Sequence, residues 1–216
     1  MQLPRVYPIV DTASLARLDF DPVHAAAAML EGGAQILQFR HKDFWSRDVF
    51  AQAETIAALC AQAAIPFIVN DRADYAAILH AGLHLGQDDL LPADARRVIG
   101  DTATVGFSTH NPEQMRAAAS EPVDYVAFGP VFSTVSKERP DPTVGIDGLR
   151  AVRALTERPL VAIGGITQQN AAQCWSAGAD SVAIIGGLLA APCTADGIRN
   201  RLRDWLLLAA ERYHSF

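Results

Sequence analysis

Eight times along this chain a short, unbroken apolar run is followed by a helix-forming stretch, and that alternation restricts the fold more than any single residue does. The runs are Tyr7–Asp11, Gln35–Phe39, Pro66–Val69, Leu83–Leu85, Thr104–Phe107, Tyr125–Phe128, Leu160–Ile163 and Ser181–Ile184. They are continuous rather than alternating, as strands buried on both faces of a parallel sheet must be. The stretches between them carry helix punctuation. Asp21-Pro22 opens one and Gly32-Gly33 closes it, Asn111-Pro112 opens another, and Thr167 stands ahead of Gln168–Ala177 as a cap. Eight strand–helix units in 216 residues predict an α/β fold of the closed (β/α)8 TIM-barrel type. A doubly wound dinucleotide fold fits less well, because no glycine-rich turn follows the first strand. With no linker or low-complexity tract, 1–216 reads as a single domain, closed by an amphipathic C-terminal helix over 194–211.

Composition narrows the function classes. A net charge of −6 argues against a nucleic-acid or anionic membrane surface. No uncharged apolar run reaches the roughly 18 residues a membrane span needs, and the N-terminus lacks a basic-then-apolar signal pattern. Cys60, Cys174 and Cys193 show no metal or disulfide spacing and fit a reducing, cytoplasmic setting. Of the six histidines only His80 and His84 stand four apart, and they fall on a helix end and the following strand rather than on one helix face, so zinc is not expected. Neither a Ser-His-Asp arrangement nor a strand-end cysteine supports nucleophilic catalysis.

In a (β/α)8 barrel the chemistry sits at the carboxyl ends of the strands, which turns the strand ends into candidates. They supply Gln38, Arg40 and Lys42, then Asn70 and Asp71, then Gln87, Asp88 and Asp89, then Ser108, Thr109 and His110. The loop from Gly129 to Gly145 adds Ser133, Thr134, Ser136 and Lys137. Only two of the 18 basic residues are lysines, Lys42 and Lys137, and both fall on this rim. The arginine bias itself fits a GC-rich coding sequence. The pairs Gly164-Gly165 and Gly186-Gly187 follow the last two strands, where such barrels bind phosphate on backbone amides. Asp71 and Asp89 are hard oxygen donors of the kind magnesium takes, one or two carboxylates with substrate phosphates completing its shell. Asp71 could equally cap the helix that follows it, and of Asp88 and Asp89 the second is the expected ligand. His84 reads as a packed strand residue, His110 as site or surface turn in equal measure, and the three tryptophans as helix packing. Together the rim predicts two anion pockets, one of metal and cations suited to a diphosphate and one of backbone amides suited to a monophosphate.

These residues stand in an order that resembles the thiamine phosphate synthase family: Gln38-Phe39-Arg40-His41-Lys42, Asn70-Asp71-Arg72, His84-Leu85-Gly86-Gln87-Asp88-Asp89, Ser108-Thr109-His110, Gly129-Pro130-Val131-Phe132, Ser136-Lys137 and Gly164-Gly165-Ile166. The resemblance runs from about Tyr7 to Leu189. It implies a transferase that joins 4-amino-2-methyl-5-hydroxymethylpyrimidine diphosphate to a thiazole phosphate, giving thiamine phosphate and pyrophosphate through a pyrimidine carbocation. It implies that Gln38, Arg40, Lys42, Asn70, Ser108 and Lys137 hold the pyrimidine diphosphate, with Arg40, Lys42 and Lys137 assisting catalysis. Asp71 and Asp89 would bind Mg2+, and Thr134, Ser136, Gly165, Ile185 and Gly186 would meet the thiazole phosphate. Three positions depart from the family pattern: His41 replaces an acid, Ser133 a proline and Ser136 a threonine.

Three other readings compete. A thiazole tautomerase on the same fold would need the monophosphate pocket and an acid/base such as His110, but no carboxylate pair. A non-catalytic phosphate-ligand binder would have no need of a metal opposite a second anion pocket. A sugar-phosphate epimerase-type barrel would need a second acid/base carboxylate that the rim does not offer. The segment 132–144 is long enough to serve as a lid.

Overall fold

The computed structural model describes residues 2–134 and 142–213. Its eight strands are β1 (Val6–Asp11), β2 (Leu37–Arg40), β3 (Phe67–Asn70), β4 (Gly82–Leu85), β5 (Val105–Thr109), β6 (Tyr125–Phe128), β7 (Leu160–Ile163) and β8 (Ser181–Ile184). They pair in parallel in chain order, and β8 closes on β1, with Tyr7 opposite Ala183. The expected barrel is therefore the observed one.

The strands divide their side chains between two cores. One set faces outward against the helices and includes Val10, Phe39, Val69 and Val182. The other fills the barrel interior and includes Tyr7, Ile9, Ile68, Tyr125, Ala127, Val161 and Ala183. Burial on both faces explains why the strands read as continuous apolar runs.

Helices α2 (Pro22–Glu31), α3 (Arg47–Gln62) and α6 (Pro112–Ala118) start where local chemistry says they should. Asp21 accepts from the His24 amide at 2.9 Å, Ser46 from Val49 at 3.3 Å and Asn111 from Gln114 at 2.9 Å, each satisfying an amide the helix cannot. The remaining helices are α4 (Ala73–Ile78), α5 (Pro92–Ile99), α7 (Gly145–Arg153), α8 (Ala171–Ser176) and α9 (Ala195–Tyr213). A three-residue 3-10 turn, Gly186–Leu188, follows β8. No helix among the described residues is long and apolar enough to cross a membrane.

One short helix adds to the expected set, and two expected caps need correction. A short helix α1 (Thr12–Ala16) follows β1 directly, because the Asp11 carboxylate accepts from the Ser14 amide at 2.9 Å and caps it. Asp71 is not the cap of α4; that place belongs to Arg72, which makes no capping bond from its side chain. Thr167 does not cap α8 either. Its amide donates to Asn170 Oδ1 at 2.7 Å in a turn, and the helix starts at Ala171.

Candidate active site

The carboxyl ends of the strands open into one cavity of about 710 Å3. Gln38, Arg40, Lys42, Asn70, Asp71, Asp89, Ser108, Thr134, Gly165, Ile185 and Gly186 all line it. Ser136 and Lys137, and much of the segment 132–144, lie outside the described residues.

The acidic wall is built by two adjacent strand ends. Asp71 holds a left-handed backbone (φ 66°), fixed by its amide donating to the His84 carbonyl at 2.8 Å. That turn breaks the strand alternation, so Asn70 and Asp71 both reach the cavity although they are consecutive. Asp89 is set by the Gly86 amide, which donates to its Oδ2 at 2.7 Å. Burial pushes the Asp71 carboxyl up to about 6, with the Asp89 carboxylate beside it adding to the rise and Lys42 opposing it. Lys42 Nζ donates to Asp71 Oδ2 at 2.5 Å.

Two crowded carboxylates at a cavity wall are a place for a divalent cation. Among the described residues no third His, Cys, Asp or Glu joins them. Magnesium fits such a pair, since it keeps most of its shell for water and phosphate oxygens.

Arg40 reaches the cavity, but it is also committed to Asp11. Its guanidinium pairs with the Asp11 carboxylate, which is 1% exposed. The amide nitrogen of Asn70 is the converse case: it is buried and has no hydrogen-bond partner among the described residues. A buried donor left unmade costs about 1–3 kcal/mol, so it marks a place where a ligand acceptor would be welcome.

The cavity floor is a polar chain that the sequence did not announce. Gln38 Nε2 donates to Tyr7 Oη at 3.2 Å, and the Tyr7 and Tyr125 hydroxyls lie 2.8 Å apart. Tyr125 Oη is 3.0 Å from His84 Nδ1, and His84 Nε2 is 2.9 Å from Ser108 Oγ. Burial raises both phenols well above their ordinary range, so the chain is built from neutral hydroxyls. His84, expected as mere packing, stacks on Tyr125 with ring centroids 5.6 Å apart and faces the cavity. The usable signal was pleat alternation: counting back two residues from the rim position Gly86 reaches His84, and from Gly129 it reaches Ala127 and then Tyr125.

Gly106 makes room for this floor. A Cβ there would lie 2.0 Å from Tyr125 Cζ and 2.4 Å from its hydroxyl. Gly106→Ala is therefore expected to cost about 1–3 kcal/mol by overpacking and to lower turnover with it. Denaturant unfolding checks this, and an unchanged midpoint would show that the ring has room to move.

The glycine pairs divide by role. Gly164 and Gly165 hold left-handed conformations (φ 97° and 64°), and a Cβ on Gly165 would sit 2.3 Å from the Ser133 carbonyl oxygen. Packing of the loop after β6 is thus sufficient reason for them. A Cβ on Gly186 would meet nothing within 4 Å, so this backbone borders open space at the start of the 3-10 turn. His110 also lines the cavity, its Nδ1–H donating to the Gly129 carbonyl at 2.6 Å. Trp45 packs on a helix as expected, its ring stacked on Tyr75 of α4 with centroids 4.6 Å apart.

Residues 6–188 match the family described as thiamine monophosphate synthase. The thiamine-phosphate synthase of Koribacter versatilis is 47% identical over 199 residues, 89% of this chain and 92% of that protein. That of Chloroflexus aurantiacus is 40% identical, covering 87% and 86%. Among solved structures, thiamine phosphate pyrophosphorylase from Pyrococcus furiosus superposes with a TM-score of 0.81 at 28% identity, over 96% of each chain. With the family match spanning all eight strands and the cavity at their carboxyl ends, the chain belongs to the thiamine monophosphate synthase family.

Proposed function

We propose that this chain is a magnesium-dependent thiamine-phosphate synthase, joining the pyrimidine diphosphate to the thiazole phosphate with release of pyrophosphate. The observation that carries this reading is the cavity wall where Asp71 and Asp89 crowd together between Lys42, Arg40 and the unpartnered Asn70 amide. A metal-bound diphosphate supplies what each of these groups lacks: a cation for the acids, and oxygens for the cations and the amide.

The bond that breaks joins the pyrimidine methylene carbon to the diphosphate oxygen, and its electron pair leaves with the diphosphate. Arg40 and Lys42, with Lys137 assigned from sequence alone, offer positive charge where that negative charge accumulates. Magnesium held by Asp71 and Asp89 would supply Lewis-acid stabilisation of the same oxygens. Gln38, Asn70 and Ser108 orient the pyrimidine diphosphate. Ala127, Val161 and Ala183 give the cavity an apolar lining that keeps water from the methylene cation until the thiazole nitrogen forms the new C–N bond. Thr134, Gly165, Ile185 and Gly186, with Ser136 from sequence, would hold the thiazole phosphate on the opposite side, where Gly186 leaves open space.

Incubating the protein with both substrates, with and without magnesium, tests the reading. Thiamine phosphate is expected only when the metal and both substrates are present. Isomerisation of the thiazole alone would replace this reading with a tautomerase, and binding without turnover would replace it with a sensor.

A further inference from the structure

We infer that His41 is a positioning residue for the diphosphate site, holding the segment after β2 so that Arg40 and Lys42, on either side of it, face the cavity. The inference rests on the diphosphate reading above. Arg40 and Lys42 line the cavity and His41 does not, as alternation along an extended chain requires. The side chain of His41 points instead to α1, where its Nδ1 is 2.8 Å from Thr12 Oγ1. Its Nε2 is 3.2 Å from the Phe44 carbonyl. A carbonyl can only accept, so Nε2 carries a proton, and in the neutral imidazole Nδ1 accepts from the Thr12 hydroxyl.

Both contacts have a structural logic. Asp11 is the last residue of β1 in register with Arg40, and their side chains pair. Thr12 and His41 are the next residues on each chain, so their hydrogen bond adds one rung beyond the sheet. The Phe44 contact closes residues 41–45 into a compact loop, which the Trp45 indole N–H seals by donating to the His41 carbonyl at 3.3 Å. Lys42 sits inside this loop. Its side chain is 48% exposed, so its aim at Asp71 depends on the backbone that carries it. A carboxylate at position 41 could accept from Thr12 but could not donate to Phe44.

The test compares His41→Ala, His41→Gln and Thr12→Val with the wild type, by calorimetric binding of inorganic pyrophosphate in magnesium and by steady-state kinetics. His41→Ala is expected to weaken pyrophosphate binding and raise KM for the pyrimidine diphosphate by about tenfold. KM for the thiazole phosphate and the melting temperature should stay near wild type. His41→Gln, whose amide can donate to Phe44, should recover part of the loss. Thr12→Val should shift the same constants in the same direction, and the double variant should lose no more than His41→Ala alone. A folded His41→Ala protein with wild-type pyrophosphate affinity overturns the role of His41. An equal rise in both KM values, or a fall in kcat alone, overturns it as well. Wild-type protein that binds no pyrophosphate overturns the diphosphate reading and this inference together.

Discussion

Replacing Asp71 by Asn is expected to cut turnover by about 100-fold while making the ligand-free protein more stable. The two effects have one cause. Asp71 is half-buried beside Asp89, and its carboxyl sits at about 6 when folded against an ordinary value of 3.8. A folded-state value above the unfolded one means that the native protein holds the proton more tightly. The associated stability is present below pH 4 and is lost as pH rises through about 6. At pH 8 the charge therefore costs the fold on the order of 1–3 kcal/mol, which asparagine removes. Asparagine also accepts the left-handed backbone at this position (φ 66°), so no strain offsets the gain. Thermal melts of both proteins at pH 4 and pH 8 check this: the stabilisation should appear at pH 8 and fade at pH 4. A variant that turns over normally would remove Asp71 from the metal site, and one that melts lower at pH 8 would show that the Lys42 pair outweighs the crowding.

Arg40→Leu is expected to lose activity and about 3–5 kcal/mol of stability, a melting shift of roughly 10 °C for a chain of this size. The residue serves the cavity and the scaffold at once. Its partner Asp11 is 1% exposed and also caps α1, so removing the guanidinium strands a buried carboxylate. Asparagine at position 11 keeps the capping oxygen without the charge. The double variant Arg40→Leu/Asp11→Asn should therefore melt above Arg40→Leu while remaining as inactive. An Arg40→Leu protein that melts like wild type would mean that water reaches Asp11.

The barrel was legible because its strands are buried on two faces, which leaves unbroken runs such as Tyr125–Phe128 in the sequence. The rim was legible because strand ends are short and polar, so Asn70, Asp71 and Ser108 stood out against apolar neighbours. The floor was less legible. Tyr7 and Tyr125 carry the composition of core residues, and only pleat alternation places their hydroxyls under the cavity. Residues with two roles were read for one: Asp11 as a strand end rather than a cap and counter-ion, Arg40 as a substrate cation rather than half of an ion pair. Gly164 and Gly165 were read as anion contacts alone, whereas packing against Pro130 and Ser133 by itself requires glycine there. Such overlaps depend on contacts between segments far apart in the chain, which no local pattern records.

The pairing of Lys42 with Asp71 gives the proposed site a form of discrimination. Each group satisfies the other, so a lone anion must prise the lysine from its carboxylate and a lone cation must displace the lysine, each at an electrostatic loss. A ligand bearing both signs of charge lets the two residues exchange partners together, and neither is left bare. On the proposed function, the resting pair would favour complete metal–diphosphate units over free phosphate or free metal through charge alone.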